Sequence, residues 1–223
     1  MSFEFDNNRV YLFGKVASKP EFSHEVYGEE FYDINLKVDR LSSQFDLIPV
    51  TISDRLVKSN NLDIGQELAV IGQFRSYNKM INEKSRLLLT VFAREIIEPI
   101  QLQNSNIIEL TGYLCKEPIY RTTPFKREIC DCLIAVNRAY NKSDYLPCIT
   151  WGRNARFVSG LAVGEKLYLT GRIQSRVYQK RLEDDQVEDR IAYEVSVSKV
   201  SREDNLQSVI KYYEKLESKK AVN

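Results

Sequence analysis

In the second half of this sequence, aromatic and basic residues alternate in a way that suits one task, holding a flexible polyanion through flat apolar rings and nearby cations. In the segment Tyr145-Leu-Pro-Cys-Ile-Thr-Trp151, side chains on an extended strand alternate between two faces. Tyr145 and Trp151 therefore share one face, while Leu146, Cys148 and Thr150 point the other way. In Arg172-Ile-Gln-Ser-Arg-Val-Tyr178, the residues Arg172, Gln174, Arg176 and Tyr178 share a face opposite Ile173 and Val177. A ring that stacks on a nucleic-acid base contributes about 1–3 kcal/mol, and Lys and Arg along the strand neutralise phosphates. Such a stripe binds a single strand without reading its sequence, and its binding weakens with salt.

Other chemistries find little support. His24 is the only histidine, so a metal centre or catalytic triad built on histidine is not expected. Cys130 and Cys132 alternate on an extended segment instead of flanking a turn, which fits buried apolar residues better than zinc ligands. No Gly-rich phosphate loop of the G-x₄-G-K-[ST] form is present. The acidic run from Glu183 to Asp189 reads as a solvated hairpin tip. No catalytic role, cofactor or metal is expected. No run of about 18 apolar residues is present, and the start lacks a basic region followed by an apolar core, so a cytoplasmic location is expected with cysteines reduced. The net charge of +1 hides a split. Residues 1–101 carry 12 Lys+Arg against 15 Asp+Glu (−3), and residues 102–200 carry 15 against 12 (+3). A polyanion would favour the second half.

The elements that must position these residues occur twice. At a shift of 98, Gly14 falls on Gly112, Pro20 on Pro118, Asp33 on Asp131, Arg40 on Arg138 and Pro49 on Pro147. At a shift of 99, Gly65 falls on Gly164 and Gly72 on Gly171; near the end the shift is 104. Gly and Pro fix turns and close approaches, so matched pairs of them indicate two copies of one small domain. Expected strands in the first copy are 10–16, 32–38, 47–52, 67–77 and 87–97. In the second they are 107–114, 130–137, 145–151, 166–178 and 191–200. A short helix is expected between the third and fourth strands, fitted in the second copy by Arg156, Phe157 and Leu161. Five strands in this order give an all-β class, two tandem OB-fold barrels of Greek-key topology. Domain bounds are expected at 1–101 and 102–200, joined by a polar linker near 98–106, with a tail at 201–223.

The second copy resembles the bacterial single-stranded DNA-binding proteins and the related primosomal replication protein. The resemblance rests on Ile108-Glu-Leu-Thr-Gly112, Ala135-Val-Asn-Arg138, Cys148-Ile-Thr-Trp-Gly-Arg153, Val163-Gly164 and Leu169-Thr-Gly-Arg-Ile-Gln-Ser-Arg176. It implies single-stranded DNA binding in replication, recombination or repair, with the family's stacking positions falling on Tyr140, Tyr145, Trp151 and Tyr178. Arg172 and Arg176 would neutralise phosphates, with Arg138, Lys142, Arg153 and Lys180 as further contacts. Four barrels are usual in the family, so a homodimer is implied. Stacking ignores the sugar, so RNA fits the same surface.

The first copy resembles the family more weakly. Its corresponding positions are read as Ser42, Leu47, Ser53 and Tyr77, so only Tyr77 keeps the aromatic, with Phe45, in the loop before the third strand, as the expected substitute for one platform. This copy is expected to support dimerisation or to contact a replication or recombination protein; the alternative is that divergence moved its aromatics and both copies bind. After Ser201, the residues Leu206, Val209, Ile210, Tyr213 and Leu216 recur at helical spacing and predict an amphipathic helix, where the family's replicative members carry a Gly-rich tail with an acidic tip. The alternative reading is a primosome or replisome interaction module whose barrels chiefly hold a protein partner.

Overall fold

The structure, a computed structural model, describes residues 7–81, 84–99, 104–181 and 187–203. The first half forms β1 (Asn8–Val16), β2 (Glu21–Val26), β3 (Glu29–Asp39), β4 (Phe45–Ser53), α1 (Asp54–Ser59), β5 (Glu67–Ile81) and β6 (Lys84–Ile97). The second half repeats this order as β7 (Asn106–Leu114), β8 (Ile119–Thr122), β9 (Glu128–Asn137), β10 (Ser143–Trp151), α2 (Arg153–Ser159), β11 (Lys166–Arg181) and β12 (Val187–Ser201). The expected amphipathic helix beyond Ser201 falls largely on residues 204–223, outside the described residues.

Each half closes into a five-stranded barrel. In the first, β1 pairs with β3 and β5, β5 with β6, and β3 with β4, all antiparallel, while the parallel pair β4–β6 closes the ring. The second closes in the same way through β7, β9, β10, β12 and β11. Strand alternation fills each interior with branched apolar residues at repeat-matched positions. Leu36, Val38, Ile48, Phe74 and Val91 occupy one barrel, and Ile134, Val136, Leu146, Ile173 and Val195 the other, all buried. Gly72 and Gly171 sit where β5 and β11 step out of register with their neighbours, and a Cβ there would overlap the carbonyl oxygen of Phe92 or Ser196. The turn before each fourth strand needs Gly65 and Gly164 at positive φ, +91° and +94°.

Three details differ from expectation. The short strands β2 and β8 were not anticipated; they pair with β3 and β9 and are mostly exposed, so no hydrophobic alternation announces them. The helix α2 ends at Ser159 with Gly160 as its C-cap, so Arg156 and Phe157 lie on it, exposed, while Leu161 falls beyond its end; Ala155 and Val158 are the residues it buries. Val177 is 65% exposed, since β11 and β12 run past their own barrel as a hairpin arm and Val177 has no barrel interior to face there.

The barrels join through β1 and β7, which pair antiparallel with Val10 opposite Ile108. Those two residues are repeat equivalents, so a local two-fold axis passes between them and relates the barrels like the halves of an isologous dimer. Tyr11, Ala69 and Ile107 form a small separate core at this joint. Asn8 and Asn106 repeat one bracing motif, each within its own barrel on either side of the joint: Asn8 donates to the Phe74 carbonyl and accepts from its N–H, and Asn106 does the same with Ile173.

Candidate nucleic-acid interface

The aromatic and basic residues singled out above fall in three places. The first is the outer face of the second barrel. Tyr145 and Trp151 on β10 are 48% and 37% exposed, while Leu146, Cys148 and Thr150 are buried. Ile149 is also buried although it shares the outward phase, so the exposed rings stand at the two ends of the strand. Trp151 donates from its indole Nε1 to Ser196 Oγ at 3.2 Å, and Ser196 lies opposite Arg172 in the β11–β12 pair. Trp151, Ser196 and Arg172 thus form a row across three strands. Farther along β11, the Arg176 guanidinium stands 5.8 Å from the Tyr178 ring centroid.

Two carboxylates that the strand pattern gave no reason to expect shape this face. Glu194 lies between the rows, accepting from Gln174 Nε2 at 2.7 Å and standing 3.9 Å from Arg176. Arg172 Nη1 is 3.3 Å from Asp46, which comes from the first barrel. Arg172 is therefore held in the joint between the barrels as well as facing outward, and burial, with the charge of Arg40 adding to it, lowers its pKa from the ordinary value. Arg153 is exposed at the start of α2, and the Lys180 side chain lies outside the described residues.

The second place is a cleft of about 460 Å³ between the two hairpin arms, lined in part by Tyr77, Tyr178, Pro49, Pro147, Leu89 and Tyr193. Tyr77 and Tyr178 both line it, but they are not the repeat equivalents expected: at the shift of 99 that relates the two arms, Tyr77 matches Arg176 and Lys79 matches Tyr178. Burial, and after it Asp33, raises the Tyr77 hydroxyl pKa, so the phenol stays neutral. Phe45, now on β4, is 48% exposed with Lys37 Nζ 4.4 Å above its ring.

The third place is the seam where Arg138, Tyr140 and Lys142 of the second barrel meet the first. Tyr140 is 94% exposed, and both it and Asn141 adopt positive φ, +60° and +54°. A bulky residue in the left-handed region is strained, and here the strained turn lifts the ring clear of the barrel. Arg138 stands 3.4 Å from the buried carboxylate of Asp144. Arg75 of the first barrel reaches the same carboxylate at 3.5 Å, and Arg94 lines the same seam. The first barrel's overall acidity concealed these two arginines in the sequence.

The cysteines sit in the second barrel with apolar neighbours. Burial, then the adjacent Cys132, pushes the Cys130 thiol up to about 11. A hydrogen bond with Cys132, then burial, raises Cys148 well above the ordinary thiol. No helix among the described residues is long and apolar enough to cross a membrane.

Residues 105–202 match the Single-strand binding protein family. Over 83 residues the chain is 34% identical to "Single-stranded DNA-binding protein 1" of Staphylococcus aureus, covering 34% of this chain and 50% of that one. It is 32% identical to "Single-stranded DNA-binding protein A" of Bacillus subtilis, covering 34% of this chain and 48% of that one. The chain therefore spans about half the length of these curated relatives. A deletion mutant of the single-stranded DNA binding protein from Thermus aquaticus superposes with a TM-score of 0.65 at 22% identity, over 91% of this chain and 97% of that one. At that identity the likeness concerns the fold, which in both spans nearly the whole chain.

Proposed function

We propose, from the match of residues 105–202 to the Single-strand binding protein family, that this chain binds single-stranded DNA during replication and repair and carries out no catalysis. Bases would stack on Tyr145, Trp151 and Tyr178 with Tyr140 flanking, and Arg176, Arg138, Lys142, Arg153 and Lys180 would neutralise phosphates. Arg172 shares its charge with Asp46, so its contribution is smaller than its position suggests. The observation that carries this reading is Trp151, whose half-exposed ring is held by Ser196 in a row that ends on Arg172. The first barrel, within residues 1–101, acts mainly as a structural partner to the second, within 102–200. Two chains together supply four barrels, and a cytoplasmic homodimer is the proposed form.

Titration with oligo-dT, followed by Trp151 fluorescence at low and moderate salt with duplex DNA as control, tests the proposal. Quenching by dT that weakens with salt, with little response to duplex, is expected. No quenching and no binding at low salt would overturn it.

A further inference from the structure

The local two-fold axis provides an internal control. It generates two seams between the barrels, built from repeat-equivalent residues, and they differ sharply in charge. One seam encloses about 240 Å³ and carries Arg75, Arg94, Arg138 and Lys142 against the single carboxylate Asp144, with Tyr140 at its mouth. Its mate carries Arg40 and Arg172 against Asp39 and Asp46 and is neutral. Aligned position by position, Arg75 replaces Gln174, Arg94 replaces Ser198, Lys142 replaces Gln44 and Asn137 replaces Asp39. Each of these four differences moves the first seam toward positive charge. Only Gln73 against Arg172 runs the other way.

Pairing differs too. In the neutral seam Arg40 grips Asp46 through two short bonds, 2.6 and 2.8 Å. In the positive seam Arg75 and Arg138 stand 3.5 and 3.4 Å from Asp144, and Arg94 donates to Gln73 at 2.8 Å instead of to a carboxylate. Burial first, and then the charge of Arg138, lowers the Arg75 pKa to about 10, partly opposed by Asp144. Three guanidiniums and an ammonium around one carboxylate leave a concave surplus of positive charge, which a phosphate oxyanion would neutralise.

We infer that this seam is a phosphate-binding site for the DNA strand, in which Arg75 and Arg94 of the first barrel act together with Arg138 and Lys142 of the second. The inference rests on the single-stranded DNA reading above and gives the first barrel a direct part in it. The mate seam takes no phosphate, so the strand crosses the joint on one side of the two-fold axis only.

The test uses the full chain and oligo-dT, reading the slope of log affinity against log salt. Each phosphate contact on a single strand contributes about 0.7 to the magnitude of that slope. Arg94→Gln and Lys142→Gln are each expected to lower it by about 0.7, with saturating Trp151 quenching unchanged. Ser198→Glu places an equal charge change at the equivalent point of the neutral seam and is expected to leave the slope alone. Arg94 and Ser198 are both exposed, so neither change disturbs a barrel core. Wild-type binding with an unaltered slope in Arg94→Gln, or an equal fall in Ser198→Glu, overturns the seam and leaves the stacking reading standing. Absence of wild-type binding and quenching overturns both.

Discussion

Trp151 is the only tryptophan in the chain, and its indole is tethered at Nε1 while part of its ring faces outward. A ring fixed in this way loses little entropy when a base stacks on it, so it gives a clean point of attack. Trp151→Ala is expected to lower oligo-dT affinity by about 1–3 kcal/mol, roughly 5- to 150-fold, with little change in the salt slope. Fluorescence anisotropy of a labelled oligonucleotide measures both. Tyr140→Ala should weaken binding less, and it should not destabilise the chain, because the tyrosine is almost fully exposed in a strained turn. Urea unfolding beside the same binding assay separates the two effects.

The hairpin arms and the bulges that launch them set where these rings stand. Gly72 and Gly171 mark the step between barrel wall and arm, and each packs against a carbonyl that a methyl group would strike. Gly72→Ala and Gly171→Ala are both expected to cost about 1–3 kcal/mol by overpacking, read as a lower urea midpoint. Only Gly171→Ala presses on Ser196, the acceptor of the Trp151 indole, so only this variant should also shift tryptophan emission. An equal emission shift in both variants would contradict that route. The strand pattern announced the barrel walls, because interior residues alternate with outer ones. It did not announce β2 and β8, whose residues are mostly exposed on both faces.

Across the whole molecule, two equivalent aspartates hold the barrels together under different electrostatic conditions. Asp46 accepts from Ser175 of the second barrel, and Asp144 accepts from the Ser76 N–H of the first. Burial works against ionisation of Asp46, but Arg40 and Ser175 outweigh it and hold its pKa below the usual carboxylate value. Burial dominates at Asp144 and raises its pKa. The signs are therefore opposite. Ionised Asp46 contributes stability above the unfolded pKa of about 3.9, and this is lost as pH falls through the lower folded value. Ionisation of Asp144 costs stability as pH rises from about 3.9 through its raised folded value. Asp46→Asn is expected to destabilise by about 3 kcal/mol at pH 7, with the gap from wild type narrowing below about pH 3.9. Urea midpoints taken from pH 3 to pH 7 test this, and a gap that does not change with pH would contradict the assignment.

The repeat, the all-β class and the five wall strands of each barrel were legible in the sequence, because two-residue alternation and Gly and Pro at turns are short-range signals. The ring positions on the second copy come from the family resemblance, with strand alternation supporting Tyr145, Trp151 and Tyr178. The tertiary structure alone decided how the copies face one another. Arg75 and Arg94 sit in an acidic half of the chain, yet the antiparallel β1–β7 joint carries them beside Arg138 and Lys142. The same joint brings Asp46 onto Arg172 and removes part of a charge that the strand pattern had assigned to the outer face. Charge balance between residues about 70 to 130 positions apart depends on the register of one strand pair, and no local pattern encodes that register.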